Sequence, residues 1–177
     1  MSGHGLVGSL GDAVPAVHPD AWVAPGAVVV GRVSIGPGSS VWYGSVLRGD
    51  DDEIAVGEAC NIQDLCCIHV DAGEPAVLEA KVSLGHHATV HGARIGAGAL
   101  IGIGAIVLGG AIIGAGCLVA AGTVVLPGTS VPAGVLYAGV PGRVVRELTD
   151  ADRQRFGQTA DRYVQRAARH RSARWSG

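Results

Sequence analysis

The sequence has no excess of positive charge: 13 Lys and Arg stand against 15 Asp and Glu, for a formal net charge of −2. A nucleic-acid-binding domain usually carries a basic face, so the body of the chain shows no footprint for such a partner, and only the Arg-rich C-terminal stretch departs from this. Paired cysteines are also missing. Cys60, Cys66, Cys67 and Cys117 lack the double CxxC spacing of a zinc knuckle, and the N-terminus shows no signal-peptide pattern. These absences predict a cytoplasmic protein whose reduced thiols pack as small core residues. Finally, no charged residue occurs from Ile95 to Gly142. Hydropathy alone could read that stretch as membrane-spanning. Its regular repeat argues instead for a soluble core, so no membrane partner is expected.

What the sequence does have is a period of six. Val23, Val29, Ile35, Val41 and Leu47 follow it; Val56, Ile62 and Ile68 continue in a shifted phase, and Leu84 and Val90 in another. Then Ile95, Ile101, Val107, Ile113, Val119, Val125 and Val131 run without a miss. A helix would space its apolar residues by three and four, and a plain strand by two. One large aliphatic per six residues, with small or Gly neighbours, suits a short strand and a tight corner, repeated so that each coil buries its aliphatic row against the next.

Beyond Pro141 the composition changes. In "RELTDADRQRFGQTADRYVQRAARHR", Thr149 followed by Asp152 resembles a capping box. Phe156, Ala160, Tyr163, Val164 and Ala167 form a helical stripe. The expectation is one helix, continuous through Gly157, lying along the side of the coil stack. Residues 1–145 would then form the repeat domain and 146–177 the helical appendage, whose arginines read most simply as a solvated face.

The period fails at "RGDDDEIA", between Leu47 and Val56, and at "HVDAGEPAVLEAKVS", between Ile68 and Leu84, and it slips to five between Val90 and Ile95. These breaks bracket Arg48, Asp50, Gln63, Asp64, His69, His86, His87 and His91. Local rules tend to fail at functional sites, so these residues are the candidates.

The segments "VLRGDDDEIAVGEACNIQD", "IHV", "GHHATVHG" and "VLYAGVPGRVVREL", in that order, resemble the γ-class carbonic anhydrase family over nearly the whole chain. That resemblance implies an all-β solenoid, a left-handed parallel β-helix of hexapeptide repeats with a C-terminal α-helix. It also implies a zinc-dependent lyase that hydrates CO2 reversibly to bicarbonate, working as a homotrimer with metals at the subunit interfaces. His69, His86 and His91 match the zinc ligands, two from one chain and one from its neighbour. Three imidazoles with an open fourth position are what a catalytic zinc needs, though Fe2+ or Co2+ would also suit them. Simple alternation would pair His87 with His91, whereas the family pattern selects His86. By the same resemblance, Arg48 and Asp50 form an interface salt bridge, and Asp64 supports the interface or a ligand. Asn61, Gln63 and Tyr137 lie near the metal-bound solvent.

The match thins at the proton route. The family's founding type carries a long acidic loop with a glutamate shuttle after the first histidine, but here the loop is short and position 72 is Ala. Asp51, Asp71 and Glu74 are the available substitutes, with Asp51 the candidate relay. Three other readings share the coil: a metal-dependent thioesterase, a hexapeptide acyltransferase using acyl-CoA, and a non-catalytic assembly subunit.

Overall fold

The computed structural model describes residues 5–173. The six-residue repeat closes into a left-handed parallel β-helix of about seven turns, a triangular prism with three flat faces. One face carries Leu6–Gly8, Cys67–His69, Thr89–His91, Ile106–Val107 and Val124–Val125. The second carries Ala16–Val17, Ala76–Leu78, Arg94–Ile95, Ile112–Ile113 and Ser130–Val131. Two longer strands, Val28–Ile35 and Val46–Val56, bend from the first face onto the second. The third face runs from Trp22–Val23 through Ser40–Val41, Asn61–Ile62, Ser83–Leu84, Leu100–Ile101 and Leu118–Val119 to Val135–Gly139. Gly142–Glu147 then folds back antiparallel on that last strand.

The periodic residues are the interior. Leu47, Ile68, Val90 and Val107 stack under the first face, and Leu78, Ile95 and Ile113 under the second. Ile62, Leu84, Ile101 and Val119 stack under the third. Removing each such side chain from water contributes about 1.5–3 kcal/mol, while the parallel ladders satisfy the backbone between coils. Corners need a left-handed residue, and Gly usually supplies it; Ala59, Leu65, Lys81 and His87 hold the same conformation at φ between 53° and 61°.

The period also decides Tyr137, six residues beyond Val131. Its backbone pairs in register with Val119, its ring is buried, and its hydroxyl donates to the Gly142 carbonyl at 2.8 Å. The ring belongs to the core cluster and closes its last coil. Three of the cysteines pack inside as expected, but Cys67 is exposed because it sits one residue before the inward Ile68.

The C-terminal helix is not continuous. Helix α1, Asp150–Phe156, starts at the predicted capping box: Asp152 N–H donates to Thr149 Oγ1 at 3.2 Å, and Asp152 Oδ2 accepts from Thr149 N–H at 2.9 Å. Gly157 keeps right-handed helical dihedrals as the C-cap, the chain leaves helical geometry at Gln158, and α2 runs Thr159–Arg171. The Arg153 carbonyl turns in to accept the Gly157 N–H, and a Cβ on Gly157 would stand 2.6 Å from that oxygen. Ala160, Tyr163 and Ala167 of the expected stripe face the prism, whereas Val164 is exposed. Helix α2 is fastened by an aromatic cluster in which Trp42 meets Trp22, Tyr163 and His170 at ring separations of 4.9, 5.2 and 4.9 Å. Tyr43 Oη lies 2.8 Å from His170 Nδ1, and Arg171 donates to the Asp20 and Ala21 carbonyls. Among the described residues no helix is long and apolar enough to cross a membrane.

Burial pushes the Cys60 and Cys117 thiols up to about 11 and Cys66 up to about 12. Thiolate is the reactive form, so iodoacetamide at pH 7 should leave these three unlabelled in the folded protein, read by mass spectrometry, and label them after denaturation. Tyr137→Phe should lower stability in denaturant unfolding by about 1 kcal/mol, the value of one buried hydrogen bond.

Candidate functional site

The candidate residues gather at the two edges of the first face. One edge holds Arg48, Asp50, Asp51, His69 and His91. His69 lies directly between Arg48 and His91 in the parallel ladder, and each follows an inward aliphatic residue, so alternation turns all three side chains outward. The RGD glycine makes this bend possible: a Cβ on Gly49 would meet the Arg32 carbonyl oxygen at 2.6 Å. Asp50 and Asp51 follow on the bulged part of the long strand, where the register shifts between Gly31 and Val33.

His69 Nδ1 stands 3.0 Å from His91 Nε2. Two nitrogens sharing a tetrahedral zinc at about 2.0–2.1 Å are roughly 3.3 Å apart, so the pair is already at the spacing of a chelating edge. The other nitrogen of His69, Nε2, faces Asp50 Oδ1 at 3.0 Å, and Asp50 Oδ2 accepts a very close hydrogen bond from Arg48. Desolvation raises the Asp50 carboxyl, but its own backbone hydrogen bond, Arg48 and His69 outweigh that and hold it below the usual carboxylate range. An ionised carboxylate behind an imidazole fixes its tautomer and orientation. Asp71 Oδ1 lies 3.8 Å from His91 Nε2, and two groups of donor atoms, His69–Asp71–His91 and Asp50–Asp51–His69, each fall within 4.8 Å. Within this chain Arg48 and Asp50 pair with each other.

The opposite edge holds Asp64 and His86 at its corners, with Gln63 beside them and Asn61 on the adjoining third face. These corners stack as a ladder, with Leu65 N–H donating to the Tyr43 carbonyl, His87 N–H to that of Asp64 and Gly104 N–H to that of His86. Asp64 therefore sits one coil below His86, and its Oδ2 meets His86 Nδ1 at 2.8 Å. His87 takes the left-handed corner position and is exposed; of the two neighbours, His86 is the one with a carboxylate behind it. Asn61 is fully buried, donating from Nδ2 to Ser83 Oγ at 2.8 Å and accepting from Gln63 Nε2 at 3.0 Å. Asn61 and Ser83 occupy outward positions of the third face, beneath the side that α2 covers. Beside Gln63 opens an apolar cleft of about 420 Å³, lined by Gly85, Leu100, Ile103, Leu118, Phe156 and Thr159 among others.

Sequence reasoning named both histidine groups but not the Asp64–His86 pair, the Asp50–His69 pair or the Asn61–Gln63–Ser83 network. The first had a signal, since Asp64 precedes His86 by 22 residues, the same interval that separates His69 from His91. Ser83 had none, because Ser is common at outward positions of such repeats.

The family model for bacterial transferase hexapeptide (six repeats) matches residues 92–127. Over 142 residues the chain is 55% identical to a Methanocaldococcus jannaschii protein named "Probable carbonic anhydrase", covering 80% of this chain and 89% of that one. It is 39% identical to the Arabidopsis thaliana protein "Gamma carbonic anhydrase 2, mitochondrial", covering 97% of this chain and 64% of the plant protein's length. A crystal structure of a Bacillus cereus protein with a provisional acetyltransferase name superposes with a TM-score of 0.94 at 34% identity, covering 97% of this chain and 99% of the other. By sequence, by the order of its histidines and by its prism, the chain belongs to the γ-class carbonic anhydrase family.

Proposed function

We propose that the protein is a zinc-dependent carbonic anhydrase, converting CO2 and water reversibly to bicarbonate at sites shared between neighbouring copies of a homotrimer. The observation that carries this reading is the division of the histidines. His69 and His91 stand 3.0 Å apart at one edge of a face, while His86, held by Asp64, stands at the other. His86 sits on the corner before the strand Thr89–His91 and His91 at the far end of that strand, so the two stand at opposite edges of one rigid face. A ring of three copies, edge to edge, would bring the two half-sites together. Leu65, Ile103 and Ile106, all exposed apolar residues on or beside the same face, support burial of that surface between copies.

The donor set suits zinc, and Fe2+ or Co2+ could occupy the same imidazoles. A bound divalent metal lowers the pKa of a coordinated water from 15.7 to about 7, supplying a nucleophile at neutral pH. The chain's own residues do the rest. Asp50 and Asp64 orient His69 and His86, and Gln63, its amide N–H held by Asn61, keeps its carbonyl oxygen for a water at the interface. Asp51 is exposed, close to His69, and can pass protons to bulk water in place of the missing glutamate shuttle. The free state of all four cysteines supports a reducing, cytoplasmic compartment.

A second reading has its own observation. The apolar cleft beside Gln63 is far larger than CO2 requires, and favours an acyl group, so a thioester substrate is the alternative.

Stopped-flow measurement of CO2 hydration should give a rate with zinc-loaded protein and none above the blank with the metal-stripped form. No metal-dependent rate, together with metal-dependent hydrolysis of acyl thioesters, would replace the first reading with the second. His86→Ala and His91→Ala should each lose the metal. Refolding an equal mixture of the two chains should restore about a quarter of the metal sites, because random assembly of a ring pairs intact half-sites that often. Recovery of none would sink the shared site. Asp64→Asn should weaken zinc binding by about 10–100-fold in chelator competition, with the fold unchanged by circular dichroism.

A further inference from the structure

Positive charge is segregated in this chain: nine of the 13 Lys and Arg lie from Arg143 onward. Three of them, Arg155, Arg162 and Arg166, surround one cleft of about 300 Å³ that also has Phe156, Thr159 and Tyr163 in its walls. The break between the helices creates it. On a continuous helix Arg155 and Arg162 would lie two turns apart, about 10 Å along the axis; the turn at Gly157–Gln158 instead lets Arg162 donate to the Arg155 carbonyl at 3.0 Å and to the Gln158 carbonyl at 3.2 Å.

The guanidiniums are held in place by groups that do not neutralise them. Arg155 lies over the Phe156 ring at 5.3 Å and Arg166 over the Tyr163 ring at 4.9 Å. Among the described residues none of the three pairs with a carboxylate, although Arg48, Arg94, Arg146 and Arg153 all do. Asp161, the acid nearest in sequence, is drawn to Lys81 at 3.3 Å. Gln158 gives the first turn of α2 no side-chain cap, and Thr159 of that turn lines the cleft. Three guanidiniums around one small concavity, none neutralised by a carboxylate and Arg162 keeping Nη1 free, match the oxygens of a phosphoryl group better than a lone carboxylate, which a single fork satisfies.

We propose that this cleft binds the phosphoryl group of a phosphorylated small molecule. Phe156 and Thr159 also line the apolar cleft beside Gln63, so the rest of such a ligand has an apolar neighbour leading toward the His86 edge. The site is independent of the metal ligands.

The test is calorimetric titration of the full-length, zinc-loaded protein with inorganic phosphate at fixed ionic strength, with chloride as the charge control. Saturable binding is expected, weakened about tenfold by Arg162→Gln and again by Arg166→Gln, since a charge-assisted hydrogen bond contributes about 1.5 kcal/mol or more. Arg169→Gln makes the same charge change on α2 outside the cleft and should bind like the parent. His91→Ala should bind as well, which separates this cleft from an anion held at the metal. Equal binding by the parent and the Arg162→Gln/Arg166→Gln chain would overturn the proposal, as would a response that chloride reproduces. Sedimentation with phosphatidic acid vesicles supplies a further arm: vesicle binding without any response to soluble phosphate would make the surface a membrane contact and overturn the small-molecule site. Should the double variant lose its helical circular dichroism, Arg155→Gln alone, with its expected tenfold weakening, decides the matter.

Discussion

Everything in this protein hangs on one packing constraint: each two- or three-residue strand in the middle of the prism sends one aliphatic side chain inward, stacked directly on the one in the coil below. Ile62, Leu84, Ile101 and Val119 form such a column with essentially no exposure. A coil that slipped by one residue would turn its aliphatic row to water and its polar row to the core. Extra residues are therefore tolerated only where they can leave the prism, at the corners. That is where Asp50 and Asp51 are found, on the bulged strand, and where Asp71 and Glu74 close a small turn of their own.

The same stacking builds the chemistry. Because successive coils are in register, residues about one coil apart become neighbours without any loop having to be positioned. Arg48, His69 and His91 stand in one ladder, and Tyr43, Asp64 and His86 in another. Each histidine column acquires a carboxylate from its own column or the adjoining bulge: Asp50 for His69, Asp64 for His86. The prism also keeps the two columns apart by the width of a face. A rigid face cannot fold its own edges together, so a site that needs both edges needs a second copy.

The C-terminal segment follows a different logic. It has no stack to join, and its stability comes from capping at Thr149, from the aromatic cluster of Trp22, Trp42, Tyr43, Tyr163 and His170, and from Arg171 on the carbonyls of the first coils. The break between its two helices brings Arg162 onto the Arg155 carbonyl.

The sequence by itself determined the solenoid. A six-residue period names the inward residues, Tyr137 six beyond Val131 included, because burial of one side chain per short strand is a local rule repeated many times. The sequence motifs, in the family's order, also singled out the candidate histidines His69, His86 and His91. Tertiary structure decided the pairings: that Asp64 lies behind His86 and Asp50 behind His69, that Cys67 faces out, and that the helix breaks so Arg155 meets Arg162. These depend on how many residues each irregular turn absorbs and on what the neighbouring coil or helix presents at that height. Such information is spread over residues far apart in the chain, and only the closed prism brings it to one place.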